Sequence, residues 1–289
     1  MPGVLKFIIV SPMNNALSID LEEYFQIHAL SGLIDPVSWT GFPSYVEENT
    51  VRILDLLEEQ QIKTTFFCLG WIARHHKDVI RRIHGMGHEI ASHGYAHQVI
   101  YSQNREDFRQ DVSNAKDVLE DIIGEPVIGY RAPTYSITDK TIWALEILED
   151  LGFRYDSSIF PIYHDNYGIP DAPRFPYRIP GSSLVEFPIS TLKLGAINIP
   201  IAGGGYFRLL PYLLTRLGLK ALSSHKRPFV FYIHPWELNP DTPRVEGMDL
   251  LSRFRTYVGI RRSFDRFSRL LRDFPFAPLK VVLSELGLL

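Results

Sequence analysis

Residues 63–92 read KTTFFCLGWIARHHKDVIRRIHGMGHEIAS, and this stretch decides the fold. Residues 63–69 form a short apolar and β-branched run of strand length. Residues 72–84 follow with helical periodicity and are closed by Gly85 and Gly87, and residues 88–92 read as a second buried strand. Strand, helix and strand in succession call for parallel pairing with the helix as crossover. The same alternation extends outward. Upstream, residues 16–19 read as a strand and 47–60 as an amphipathic helix. Downstream, 104–123 carries Phe108, Val112, Ala115, Leu119 and Ile122 at helical spacing, with Gly124 as C-cap. A strand over 127–130, a helix capped by Thr138 and running to Leu151, and a strand over 153–155 come next.

Residues 159–183, rich in Pro, Tyr and Gly, predict a long functional loop. Further strands are expected at 184–187 and 229–233, then a helix over about 253–272 and a last strand near Val281. No Pro/Gly/Ser linker interrupts the chain. The expectation is one α/β domain over residues 1–289, with a core at about 16–236 and a helix–strand extension at 237–289.

The 289 residues are 45% hydrophobic, enough apolar material for a single large core, and an α/β barrel of this length is ordinary. A net charge of -3 gives no overall footprint for nucleic acid or an anionic membrane. The local basic cluster from Arg253 to Arg272 reads as a solvated helix face, with a binding patch as the competing reading. Cys68 is the single cysteine, so an intramolecular disulfide and a Cys-based zinc site are both excluded; it reads as a small buried hydrophobe. The apolar run 4–10 is short, contains Lys6 and lacks a basic leader, so it fails as a signal peptide. A run of about 18 apolar residues that could span a bilayer is absent. The expected setting is cytoplasmic.

Polar residues directly after the strands of such a fold converge on one rim. Here they are Asp20-Leu21-Glu22-Glu23, His93-Gly94-Tyr95-Ala96-His97, Arg131-Ala132-Pro133-Thr134-Tyr135, Asp156-Ser157-Ser158 and His234-Pro235-Trp236-Glu237. His93 and His97, at i, i+4, would present both imidazoles on one side of a helical turn. With a carboxylate they make a three-ligand metal site that leaves a position open. Taken alone, such a pair among ten histidines is weak; His75, His76 and His84 read as surface residues. The acidic trio could supply a metal ligand and a general base, or merely an acidic helix start. Arg131 could hold the base ionised, or serve as a structural ion-pair partner. His234 could be a general acid oriented by Asp156, or a satisfied core histidine.

In order and spacing these segments resemble the successive motifs of polysaccharide deacetylases with the NodB homology domain, of the carbohydrate esterase family 4 type, over about residues 17–236. The likeness is strongest to deacetylases of exosortase (PEP-CTERM) and exopolysaccharide loci. It rests there on the opening Asp20 to Phe25, the Gly-rich Gly203-Gly204-Gly205-Tyr206-Phe207-Arg208, and the ending His234-Pro235-Trp236-Glu237-Leu238. The resemblance implies a distorted (β/α)7–8 barrel and metal-dependent hydrolysis of the N-acetyl group of an acetamido sugar in a polysaccharide or oligosaccharide. Zinc, or another divalent ion such as Co2+ or Ni2+, would be the cofactor. An N-acetylated sugar polymer would be the partner, with no nucleic acid. By the same resemblance Asp20 is the base, His93 and His97 are metal ligands, and Arg131 positions the base. Tyr135 contributes its backbone N–H to the oxyanion site. His234 is the acid with Asp156 behind it; Pro133 and Trp236 are further candidates for substrate binding, apart from the roles the resemblance implies.

One departure stands out. The usual pattern has two adjacent aspartates, and Leu21 occupies the second position. Glu22 is then the first choice for third ligand, with Glu23 second. Tyr163, Tyr167, Tyr206, Phe207 and Trp236 are candidates for a sugar platform or for core packing. Competing functions are a metal-independent, allantoinase-like C–N hydrolase on the same scaffold and a non-catalytic carbohydrate-binding protein.

Overall fold

The strand β1 (Asn15–Leu21) is buried along its whole length, yet its side chains enter different layers. Leu17, Ile19 and Leu21 enter the large apolar layer between sheet and helices, while Ala16 joins a separate interior cluster. The two-residue period of a strand puts Ser18 and Asp20 on the same inner side as Ala16. This division organises the molecule, which a computed structural model describes over residues 13–223 and 227–289. The apolar run 4–10 weighed above as a leader lies outside the described residues.

The remaining strands are β2 (Thr65–Cys68), β3 (Glu89–Ser92), β4 (Gly129–Tyr130), β5 (Tyr155–Asp156), β6 (Tyr177–Arg178), β7 (Val185–Glu186), the hairpin β8 (Thr191–Leu194) and β9 (Ile197–Pro200), β10 (Val230–Ile233) and β11 (Phe276–Ala277). The main sheet runs β10-β1-β2-β3-β4-β5-β7-β6, with β11 beside the start of β1. Every pair from β10 to β7 is parallel, and only β6 runs antiparallel. Phe67, Ala91, Tyr155, Val185, Val230 and Tyr232 share the inner cluster with Ala16, so strands from both ends of this path face one interior. The sheet is therefore curled. Its ends meet without a ladder: Val230 N–H donates to Ser190 Oγ (2.9 Å), and Tyr232 N–H to the Ala202 carbonyl (3.0 Å). The distorted barrel expected from the sequence is a curled half-barrel sheet. Gly129 is required inside it, because a Cβ there would fall 2.1 Å from the Tyr155 ring.

The helices are α1 (Val46–Glu59), α2 (Gly70–His75), α3 (Lys77–Gly85), α4 (Arg105–Ile123), α5 (Ala144–Asp150), α6 (Gly204–Leu209), α7 (Tyr212–Ser223), α8 (Leu250–Tyr257), α9 (Ser263–Asp273) and α10 (Leu279–Glu285). The helix α4 matches its sequence signals: Asn104 Oδ1 accepts from Glu106 and Asp107 N–H, and Gly124 closes the helix at φ +70°.

Several expected elements differ. The helix over 72–84 breaks into α2 and α3 at His76 (φ -131°, ψ 52°), whose Nδ1 lies 3.0 Å from Glu47 Oε1. Thr138 caps no helix; Thr141 Oγ1 receives its N–H in a turn, and α5 starts only at Ala144. The helix over 253–272 becomes α8 and α9, divided at Gly259, where φ is +72° and a Cβ would meet the Arg208 carbonyl oxygen at 2.3 Å. Val281 lies in α10, because Leu279, Val282 and Leu283 recur at helical spacing; the last strand is β11 instead. The hairpin β8–β9 and the helices α6 and α7 carry no counterpart in the sequence expectations. Among the described residues, no helix is long and apolar enough to cross a membrane.

Candidate active site

The period of β1 decides which carboxylates face the interior. Asp20 and Glu22, two residues apart, extend to one side. Leu21 belongs to the outer apolar layer, and Glu23 turns away with it. Glu23 Oε1 accepts from Tyr45 N–H (2.8 Å), Val46 N–H (2.9 Å) and Ser44 Oγ (2.5 Å), so it anchors the start of α1. Of the two glutamates weighed as third ligand, Glu22 is the one beside the histidines. One ligand-type atom from each of Glu22, His93 and His97 lies within 4.8 Å of the others.

These side chains have the chemistry to hold a cation. Trp236 Nε1–H donates to Glu22 Oε1 (3.1 Å). Glu22 Oε2 approaches His97 Nε2 to 2.8 Å but accepts no well-oriented hydrogen bond. His93 Nδ1 lies 2.7 Å from the Arg131 carbonyl, which fixes the ring and leaves Nε2 for the site. Burial, reinforced by His97, pushes His93 down to about 3, so its imidazole is neutral and its lone pair available. Burial alone would raise Glu22, but His97, His234 and His93 outweigh it and hold the carboxyl below its ordinary value. Two imidazoles and a carboxylate with an uncommitted oxygen fit a divalent ion such as zinc.

The histidines do not share a helical turn, as their spacing suggested. The segment between them is a loop, with Gly94 at φ +75° and His97 at φ +52°. Asp111 of α4 pins this loop by accepting from Tyr95 N–H (2.9 Å) and Ala96 N–H (3.3 Å). A Cβ on Gly94 would lie 2.8 Å from Asp111 Oδ2, so helical backbone is displaced by a tight, carboxylate-anchored turn.

Arg131 follows β4 and is completely buried. It donates from Nη1 to Asp20 Oδ1 (2.7 Å) and Ser18 Oγ (2.7 Å), from Nε to the Ser157 carbonyl (3.0 Å), and from Nη2 to Ser157 Oγ (2.9 Å). Its guanidinium lies 4.1 Å from the Phe67 ring centroid. Asp20 is thereby fixed through Oδ1, while Oδ2 lies 3.7 Å from His234 Nε2.

His234, at the end of β10, is oriented by Glu237 and not by Asp156. Its Nδ1–H and its backbone N–H both donate to Glu237 Oε2, at 2.7 and 3.0 Å. Arg208 Nε donates to Glu237 Oε1 (2.7 Å), and Arg208 is itself held by the carbonyls of Thr256 and Val258. Burial opposes charge on His234, but Glu237 and then Glu22 outweigh it and raise its pKa to about 9. Burial likewise opposes the Glu237 carboxylate, and Arg208 and His234 reverse the effect, lowering it to about 2. Asp156 is on β5, and its Oδ1 accepts from Ser158 Oγ (2.5 Å). Ser158 Oγ also accepts from Ala132 N–H (2.7 Å), so Asp156 supports the loop that carries Arg131. Burial raises Asp156, and raises its neighbour Glu186 further.

The other expected residues divide. The Tyr135 N–H is engaged by the Ala132 carbonyl at 3.1 Å. Pro133 opens the short turn in which Thr134 (φ +55°) and Tyr135 (φ +52°) adopt left-handed backbone, and these two, not Pro133, border the cleft. The cleft is about 490 Å3, with Asp20, Glu22, His93, His97 and His234 on its surface. Tyr167, Tyr206 and Trp236 also border it. Phe207 is core, packed on Phe231, and Tyr163 is 87% exposed outside the cleft. Gly203 (φ +138°) passes so close to β10 that a Cβ would lie 2.0 Å from the Tyr232 carbonyl oxygen. Glu237 and Arg208, which stand behind His234, and His164 and Arg255, which border the cleft, were not assigned roles from sequence. Only Glu237 had a local signal, standing two residues after Pro235 where a helix start favours a reciprocal cap.

Residues 36–155 match the family model described as polysaccharide deacetylase, and residues 157–284 a domain of unknown function, DUF3473. The peptidoglycan-N-acetylglucosamine deacetylase of Bacillus cereus is 31% identical over 100 residues, covering 34% of this chain and 36% of that protein. A chitooligosaccharide deacetylase of Sinorhizobium fredii is 29% identical over 121 residues, 39% of this chain and 54% of that protein. The matched stretch thus spans about a third to a half of these relatives. Among solved structures, a probable polysaccharide deacetylase of Pseudomonas aeruginosa PAO1 shares the fold with a TM-score of 0.61 at 16% identity, over 93% of this chain and 89% of that one. The Xyl-CE4 domain of a xylanase from the hindgut metagenome of Trinervitermes trinervoides does so at 0.50 and 14%, over 96% and 92%. Over residues 36–155 the chain is thus similar to the polysaccharide deacetylases.

Proposed function

We propose that this protein is a metal-dependent hydrolase that removes the N-acetyl group from an acetamido sugar of a polysaccharide or oligosaccharide, giving acetate and a free amine. The observation that carries the reading is the convergence, in one cleft, of the Glu22/His93/His97 group with Asp20 and His234. Glu22, His93 and His97 would hold zinc or another divalent ion such as Co2+ or Ni2+. Such an ion, when bound, supplies Lewis acidity toward the acetamide carbonyl and water.

The chain's own residues supply the proton transfers. Asp20, fixed by Arg131, accepts a proton from the attacking water through Oδ2. His234 delivers a proton from Nε2 to the sugar nitrogen as the C–N bond breaks. Glu237 holds the opposite ring nitrogen, so that Nε2 faces the cleft, and Arg208 holds Glu237. Tyr167, Tyr206 and Trp236 offer apolar faces to a sugar ring. The relatives' names, peptidoglycan and chitooligosaccharide deacetylases, support an N-acetylated glycan as substrate. The likeness of the Asp20 to Phe25 and Gly203 to Arg208 segments to exosortase-associated deacetylases extends the proposal to exopolysaccharide synthesis as the setting.

The test is incubation of the purified protein with an N-acetylated glucosamine oligosaccharide. Acetate and free amine are expected in equal amounts, and His93→Ala is expected to abolish both. Undiminished release by that variant would overturn the assignment.

A further inference from the structure

We infer that the rim of the cleft built by α8 and the segment after it docks on an anionic membrane surface. The sequence presented this region as a basic run on one solvated helix, but the structure breaks that helix and gives the run a different setting. Arg244, Arg253, Arg255, Arg261 and Arg262 are all exposed. The arginine ion pairs among the described residues lie elsewhere, at Arg81, Arg82, Arg105, Arg109, Arg131, Arg208 and Arg216. Asp249, the carboxylate next to α8 in sequence, caps that helix by accepting from Leu251 and Ser252 N–H. The chain as a whole carries a net charge of -3, so this cationic surface is local.

Large apolar side chains are interleaved with these arginines. On α8, Leu250, Leu251 and Phe254 are 84%, 56% and 54% exposed, and their i, i+1, i+4 spacing sets them on one side of the helix. Leu209, at the end of α6, is 50% exposed. The surface is continuous with the mouth of the cleft. Leu209, Leu251, Phe254 and Arg255 border the cleft itself, while Arg244, Leu250, Arg253 and Phe254 border an adjoining depression. Leu209 and Arg244 also border a third depression with Arg261 and Arg262.

Exposed aliphatic and aromatic side chains flanked by arginines suit the boundary between lipid headgroups and acyl chains, where apolar groups insert and guanidinium groups meet phosphates. A second copy of the chain fits less well, because two-fold pairing of this face sets arginines against arginines. A soluble acidic glycan would use the arginines but leave Leu250 and Leu251 without a partner. Docking by this rim brings the cleft mouth to the membrane surface, and it is independent of the reaction proposed above.

The test is co-sedimentation of the full chain with vesicles of phosphatidylcholine alone and of phosphatidylcholine with phosphatidylglycerol. Binding is expected only to the anionic vesicles, weakened by added salt. It should weaken about tenfold in the double variant Arg253→Gln/Arg261→Gln and also fall in Leu250→Ser. These exposed positions lie outside the cleft lining, and unchanged melting curves would show that both variants fold. Absence of vesicle binding, equal binding to neutral vesicles, or unaltered binding by both variants would overturn the inference. So would self-association, or capture by a soluble acidic polysaccharide, in place of vesicle binding.

Discussion

Glu237 Oε2 accepts hydrogen bonds from both the Nδ1–H and the backbone N–H of His234, at 2.7 and 3.0 Å. One carboxylate oxygen thus fixes the tautomer, the ring orientation and the main-chain position of the proposed acid. Replacing Glu237 with Gln should lower kcat/KM by about a hundredfold or more, the scale of losing an oriented general acid. Bound metal should be unchanged, because Glu237 is not in the Glu22/His93/His97 group. Asp156→Asn leaves His234 untouched and should reduce activity far less. Steady-state kinetics with metal analysis checks both expectations.

The two glutamates after β1 should separate cleanly. Glu22→Gln is expected to lose bound metal and activity together. Glu23→Gln should keep its metal while losing stability by about 1–2 kcal/mol, since it weakens the buried hydrogen bonds that anchor α1. Elemental analysis paired with denaturant titration distinguishes them, and metal loss confined to the Glu23 variant would reverse the assignment.

The His234–Glu237 pair predicts a pH profile for the metal-free protein. Glu237 is held at about 2 against an ordinary 4.5, so its contribution to stability is complete above 4.5 and is lost as pH falls through 2. His234 is raised to about 9 from 6.5, so its contribution is complete below 6.5 and is lost as pH rises through 9. The melting-temperature difference between the wild type and Glu237→Gln should therefore be largest between pH 4.5 and 6.5. It should shrink on both sides; a difference independent of pH would show that the pair is not coupled in this way.

Inside the sheet, Gly129→Ala should destabilise the fold by about 1–3 kcal/mol. The added methyl would meet the Tyr155 ring, whose hydroxyl donates to buried Glu89 at 2.9 Å. Chemical denaturation gives the value. A neutral result would mean that Tyr155 moves without cost.

The strands and the inner face of the site were legible because strand periodicity is local. Once β1 is read as a buried strand, Asp20 and Glu22 must share a side, and the residues ending β3, β4 and β10 must join them on the rim. The partner of His234 was not legible in this way. Asp156 was chosen for being at a strand end, but its carboxylate is taken up by Ser158 and sits beside Glu186. The true partner, three residues along the chain, depends on the tight turn after Pro235 and on Arg208, which arrives from α6. Similarly, the His93–His97 spacing suggested a helix. Asp111, contributed by the distant α4, decides instead for a loop.

The central claim is that a divalent cation on Glu22, His93 and His97 serves a deacetylase cleft. Its most direct test is acetate release from an N-acetylated oligosaccharide by chelator-stripped protein, titrated with Zn2+. No release is expected from the metal-free protein, with activity rising to a plateau at about one equivalent of zinc. Undiminished release without metal, or an identical titration for His93→Ala, would contradict it.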